Sequence, residues 1–126
     1  MKTIIFIVIL ITSGKAMAQT SEKVMVKKET VENVAAENEA TMAFRNDVKL
    51  KRVKIYLLGG IVSVIQKDDH AFEKQYGIQY HDFGCVVPAN LDYYKRYNAL
   101  AYNYLTEKSG AGWKAAINTN AVGWKK

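Results

Sequence analysis

The chain has 126 residues, 49% of them hydrophobic and 24% charged, with a formal net charge of +6 and a single cysteine. That size and balance fit one globular domain and leave no room for two. One cysteine excludes an intramolecular disulfide, so the fold must hold by packing; a charge excess this mild, interleaved with Asp and Glu, gives no ground for nucleic-acid binding.

The N-terminus has the three-part order of a secretory signal: Lys2, an apolar run over residues 4–11, then Ala16-Met17-Ala18 as a small-residue cleavage site. Residues 1–18 are therefore expected to be a cleaved signal peptide, with the mature protein exported to the periplasm or secreted. Loss of Lys2 and Lys15 leaves a mature charge of about +4. The apolar run is too short to span a bilayer, and no cysteine stands at the cleavage point for a lipid anchor. A second apolar run, 55–65, is interrupted by Gly59-Gly60 and reads as core, so no transmembrane helix is expected in the mature chain.

Residues 19–45 are polar, with no sustained apolar period; Val24 and Val26 alternate weakly, and 31–43 offers at most a solvated helix. This stretch is expected to be a flexible leader, ahead of a single compact domain over 46–126. Val53, Ile55 and Leu57 alternate with Lys54 and Tyr56, the period of a strand, and Gly59-Gly60 ends it. The β-branched stretch 61–65 reads either as a second short strand or as the entry to a helix. Asp68 is the expected N-cap of a helix carrying Ala71, Phe72 and Tyr76, with Asp69 and Glu73 early and Lys74 late, as the helix dipole favours. Gly77 reads as its left-handed terminator. Residues 78–83 alternate as a strand.

Asn90 is the expected cap of the longest helix, roughly 90–107. Leu91, Tyr94, Asn98, Ala101 and Leu105 share one face; Tyr93, Tyr97, Leu100 and Tyr104 lie beside them. Gly110 and Gly112 stop it, residues 113–117 add a turn or two, and Val122 and Trp124 dock the tail. The expected fold is α+β: a two- to three-stranded sheet covered by the long C-terminal helix, in the order strand, helix, strand, helix, helix. Parallel pairing of the two strands would make the first helix their crossover.

Residues 72–85, Phe-Glu-Lys-Gln-Tyr-Gly-Ile-Gln-Tyr-His-Asp-Phe-Gly-Cys, followed by Pro88, Asn90, Tyr93-Tyr94 and Tyr97-Asn98, resemble a group of small exported bacterial proteins. The resemblance spans about residues 53–124. It implies one folded unit over that range and carries no activity, cofactor or catalytic residue with it.

Cys85, His81 and Asp82 are the one grouping with a nucleophile, a base and a carboxylate. A thiolate needs a base or a positive field nearby. Asp82, however, points to the opposite strand face from His81, and free cysteine is commonly a buried small hydrophobe, so the packed reading is preferred. His70 lies one helical turn from Glu73 beside Asp68 and Asp69, but a solvated helix start explains these residues without a metal, and no metal or cofactor is expected. Leu57-Leu58-Gly59-Gly60 lacks the spacing and lysine of a phosphate loop.

Five of the eight tyrosines fall within 93–104, interleaved with Lys95 and Arg96. Aromatic rings beside basic tips suit an interface, with Tyr93, Lys95, Arg96, Tyr97 and Tyr104 as its candidates, against the plainer reading of core rings with hydroxyls at the rim. The function expected is a non-enzymatic binding or interaction module outside the cytoplasm, its partner a protein or glycan of the cell envelope. The alternatives are a small enzyme using Cys85 and His81, or a structural or stress protein of the envelope.

Overall fold

A computed structural model describes the backbone of residues 20–125 and the side chains from Val34 onward; the expected signal segment, 1–18, lies outside the described residues. The alternating stretch forms strand β1, Lys54–Leu57, with Ile55 and Leu57 wholly buried and Lys54 and Tyr56 on the other face. Strand β2, Gln79–Asp82, pairs with it in parallel, Lys54 opposite Gln79 and Leu57 opposite Asp82. Parallel neighbours need a crossover, and the helix between them, Lys67–Tyr76, provides it.

That helix starts at Gln66 rather than Asp68. The Gln66 N–H donates to Asp69 Oδ2 at 2.8 Å and the Asp69 N–H returns a bond to the Gln66 carbonyl, so Asp69 closes the first turn and Asp68 is left exposed within it. Its other end follows expectation: Gly77 has φ +66° and donates to the Glu73 carbonyl at 2.9 Å. Residues 61–65 form neither strand nor helix. They are a loop, with Ile61 and Val62 exposed and Val64 and Ile65 turned against the core.

The free edge of β1 takes the C-terminal tail. Leu58 N–H donates to the Asn120 carbonyl and Val122 N–H to the Tyr56 carbonyl, each at 2.9 Å, around a one-residue antiparallel bridge from Leu57 to Ala121. The sheet therefore has two strands plus this short docked segment. The long helix, Leu91–Ser109, covers it, with Asn98, Ala101 and Leu105 fully buried; Asn90 accepts from the Tyr93 N–H at its start and Gly110 ends it. A short 3₁₀ turn, Gly112–Ala115, then buries Trp113, which stacks on Tyr102 at 5.5 Å beside Trp124.

The expected flexible leader is corrected by the first element, a helix over Thr20–Lys49. Numbered in chain order, the helices are α1 (Thr20–Lys49), α2 (Lys67–Tyr76) and α3 (Leu91–Ser109). Residues 34–45 belong to the folded unit, because α1 lies on the face of α3 that the sheet leaves open. Ala40 is wholly buried where the helices approach, and the Phe44 ring meets Tyr97 at 5.6 Å and Tyr104 at 6.0 Å, edge to face. Asp47 is also buried, accepting from Arg52 Nε at 2.8 Å and from the Tyr97 hydroxyl at 2.7 Å, with Lys54 Nζ at 3.7 Å. Ala40 and the buried Asp47 carry this packing together with only two larger apolar side chains, Phe44 and Val48, so the hydropathy pattern is weak there. The element order is thus helix, strand, helix, strand, helix, 3₁₀ turn, still mixed α+β. No helix among the described residues is long and apolar enough to cross a membrane.

Candidate functional site

The solvent-facing side of β1 and β2 is built by the outward residues of each strand. Tyr56 and His81 stand opposite each other in the register, with ring centroids 5.4 Å apart. Phe83, just beyond β2, lies nearly parallel to Tyr56 at 5.5 Å, and Tyr94 from the first turn of α3 closes on both rings at 4.7 Å. Tyr93 sits edge to face against Tyr94. Side chains of this kind are large, rigid and amphipathic, which makes them efficient contact surfaces.

Between these rings and α1 lies an open cleft of about 400 Å³. Its rim carries Glu39 from α1, Lys54 from β1 and Asn90 from the cap of α3. A second hollow of about 380 Å³ adjoins it, sharing Glu39 and Asn90 and adding Ala35, Ala36 and Ala89. Burial pushes the Tyr56 phenol up to about 12, with Tyr93, Asp47 and Tyr94 adding to the effect. Burial also raises Tyr93, reinforced by Tyr94, Glu39 and Asp47. Both hydroxyls therefore stay protonated near neutral pH and can donate as well as accept.

The loops beyond the strands are fixed by Asp82. It accepts from the Gly84 N–H at 2.7 Å, from the Val64 N–H at 3.1 Å and from the Ser63 hydroxyl at 3.1 Å. The Gly84 bond lowers its pKa most; partial burial opposes this, and the Val64, Ser63 and His81 contributions add to the lowering. A Cβ on Gly59 would collide with Asp82 Oδ1 and stand 2.8 Å from the Gly84 nitrogen, so the close approach of the two loops requires glycine there.

The residues singled out from sequence separate. His81 lines the cleft, but Cys85 is exposed on the following loop and is not part of the lining. The expectation that Cys85 is packed as a buried hydrophobe is corrected by that exposure: beyond β2 the chain turns outward at Gly84, φ +67°, and carries Cys85, Val86 and Val87 into solvent. Asp82 does face away from His81 and is spent on loop amides. His70 and Glu73 are in contact at 2.9 Å, yet the other Glu73 oxygen accepts the Tyr80 N–H at 2.7 Å and ties α2 to β2. Among the described residues no three His, Cys, Asp or Glu groups gather as metal ligands.

Of the interface candidates, Tyr93 lines the cleft. Tyr97 does not: it is wholly buried, and its hydroxyl donates to Asp47 and accepts from the Lys54 N–H at 3.3 Å. Tyr104 packs against Phe44 under α1, with Lys108 over its ring. Lys95 pairs with Asp92 and Arg96 with Glu37, both exposed pairs of small energetic weight. Glu39, Lys54, Tyr56, Phe83, Asn90 and Tyr94 were not foreseen as one site. The outward alternation of Tyr56 and His81 on two neighbouring strands was the available signal; parallel pairing brings them together. Compared with known proteins, the chain matches no family model, no curated protein and no solved structure.

Proposed function

We propose that this protein is an exported, non-enzymatic binding module that takes its ligand in the aromatic cleft between α1, the sheet and the start of α3. The observation that carries this reading is the clustering of Tyr56, His81, Phe83, Tyr93 and Tyr94 around an open hollow with a polar rim. Ligand sites are typically concave, with large rings for contact and a few polar groups for orientation. Exposure of Cys85 outside the cleft removes the nucleophile from the place where a ligand would sit. Export is supported by the order of Lys2, the apolar run and Ala16-Met17-Ala18.

The test is a ligand-observed and protein-observed NMR screen of the purified protein against mono- and oligosaccharides, amino acids and short peptides. Amide shifts from binding compounds should concentrate at Lys54, Tyr56, His81 and residues 90–94, and should need a higher ligand concentration in Tyr93→Ala. A cleft that stays silent while other surfaces respond would overturn the reading. For the exported form, N-terminal sequencing should begin at Gln19; a mature chain retaining Met1 would refute cleavage.

A further inference from the structure

Resting on the cleft as the binding site, we infer that its ligand is a neutral oligosaccharide chain, lying across the rings of Tyr93, Tyr94 and Tyr56 and continuing past Glu39 and Asn90 into the adjoining hollow. Three features of the lining select this chemistry. The first is what it omits: every residue around the main hollow is aromatic, imidazole, amide or charged, and none is aliphatic. An acyl chain or other fully apolar ligand would meet hydroxyls and ionised tips that it cannot pair, at the usual cost of stranded polar groups. A sugar ring presents apolar C–H faces to aromatic rings and hydroxyls to the rim, matching both halves of the surface.

The second feature is charge. Glu39 and Lys54 contribute one negative and one positive group to the rim. Lys54 Nζ is 3.7 Å from Asp47, which Arg52 and Tyr97 also hold, so its charge is partly offset while its remaining N–H groups stay available to donate. A polyanion would meet the Glu39 carboxylate, which has no ion-pair partner among the described residues, rather than a basic patch. Neutral hydroxyls, by contrast, can donate to Glu39 and accept from Lys54, the Asn90 amide and the protonated phenols, since each of these groups has donor or acceptor capacity to spare.

The third feature is shape. The two hollows, about 400 and 380 Å³, share Glu39 and Asn90 in their linings and are both open to solvent, so they lie side by side as an open surface rather than a closed pouch. A surface of this form suits a linear chain with more than one ring and leaves both ends of the chain free. The second hollow adds three small side chains, Ala35, Ala36 and Ala89, to its lining.

The experiment titrates ¹⁵N-labelled protein with fully N-acetylated chitotriose and cellotriose, with a sulfated oligosaccharide, and with a proline- and tyrosine-containing peptide, each also against Tyr93→Ala and Glu39→Gln. Tyr93 and Glu39 lie outside the buried core, so both variants should keep the wild-type melting temperature. Saturable shifts at Tyr56, His81 and residues 90–94 with a neutral trisaccharide, weakened about tenfold in Tyr93→Ala, are the expected result. Tighter binding of the sulfated chain would overturn neutrality. Cleft shifts with the peptide but neither neutral sugar would overturn the saccharide assignment while leaving the cleft as the binding site. Silence of the cleft toward all of them would overturn both.

Discussion

The two flanks of β1 solve the same problem with different chemistry. On the tail side, neutral amides do the joining. Asn98, fully buried, accepts the Tyr56 N–H at 2.9 Å and donates to the carbonyls of Tyr56 and Val122 at 2.9 and 3.0 Å. Asn118 repeats the device, donating to the Val64 carbonyl and to Asp69 while accepting from Asn120. On the α1 side a carboxylate does it: Asp47 gathers Arg52, Lys54 and the Tyr97 hydroxyl. An amide carries donors and acceptors, so it can bond both the N–H and the carbonyl of one residue; an ionised carboxylate only accepts and must be surrounded by donors. The Asn98 joint therefore contains no group that titrates between acid and neutral pH, while the α1 joint is centred on one, as is the single bond from Asn118 to Asp69.

Exchanging the two chemistries should break this pattern most severely at Asn98. In Asn98→Asp, one oxygen keeps the Tyr56 N–H, but the other faces two carbonyls with no proton to offer. An uncompensated buried charge should cost roughly 3–5 kcal/mol at neutral pH. Burial without donors raises the folded-state pKa of the new carboxyl above its unfolded value, so the folded state takes up a proton and the penalty shrinks as pH falls. Urea unfolding at pH 7 and pH 4.5 measures both effects. A penalty that is small, or equal at the two pH values, would mean that the tail joint tolerates charge and that the contrast between the flanks is wrong.

The reverse exchange, Asp47→Asn, should cost less, roughly 1–2 kcal/mol at pH 7, because the amide oxygen still accepts from Arg52 while the amide nitrogen can donate to the Tyr97 hydroxyl, which approaches the other oxygen of Asp47. Burial alone would raise the Asp47 pKa, but the hydrogen bonds from Tyr97 and Arg52 and the charges of Lys54 and Arg52 outweigh it, and the net displacement is downward. A depressed folded pKa gives stability that is complete above the unfolded value of about 3.9 and is lost as pH falls through the folded value. The wild-type protein should therefore lose its advantage over Asp47→Asn as pH drops below about 4. Parallel stability curves for the two proteins between pH 7 and pH 2.5 would show that Asp47 does not hold α1 through its charge.

The same contrast explains what was legible in the sequence. Periodicity found β1, β2, α2 and α3, because their buried faces are large and apolar: Ile55 and Leu57, Tyr80, Phe72, Ala101 and Leu105. Local chemistry found Gly77 and Asn90, since a left-handed stop and an Asn cap are decided within one turn. The packing of α1 was not legible, because Ala40 and Asp47, both buried, do not register as a core stripe, and Phe44 and Val48 are too few to make one. That omission misassigned the tyrosines. With α1 absent, Tyr97 and Tyr104 looked free for an interface; with α1 in place they are its seat, and the open rings are Tyr56, Tyr93 and Tyr94. The cleft was hidden for a related reason: its residues come from four separate segments, and only the parallel pairing of β1 with β2 sets Tyr56 beside His81.

The mildest exchange tests whether the tail joint belongs to Asn98 or is shared. The Tyr102 hydroxyl donates to the Val122 carbonyl at 3.1 Å, the same oxygen that receives Asn98 Nδ2 at 3.0 Å. In Tyr102→Phe that carbonyl keeps its amide donor, and the ring keeps its stacking on Trp113 and its edge contact with Trp124 at 5.4 Å. Nothing buried is stranded except a long 3.4 Å contact from Asn98, whose amide retains two carbonyl partners. The cost should be about 0.5 kcal/mol, at the low end for a neutral hydrogen bond. It should also be the same at pH 4 and pH 8, because burial lifts the Tyr102 phenol above its usual range and leaves it protonated throughout. Thermal and urea unfolding of Tyr102→Phe across that interval give the comparison directly. A loss above about 2 kcal/mol would reassign the joint, since only a stranded partner costs that much: the hydroxyl, not the amide, would then be what fastens the tail to β1.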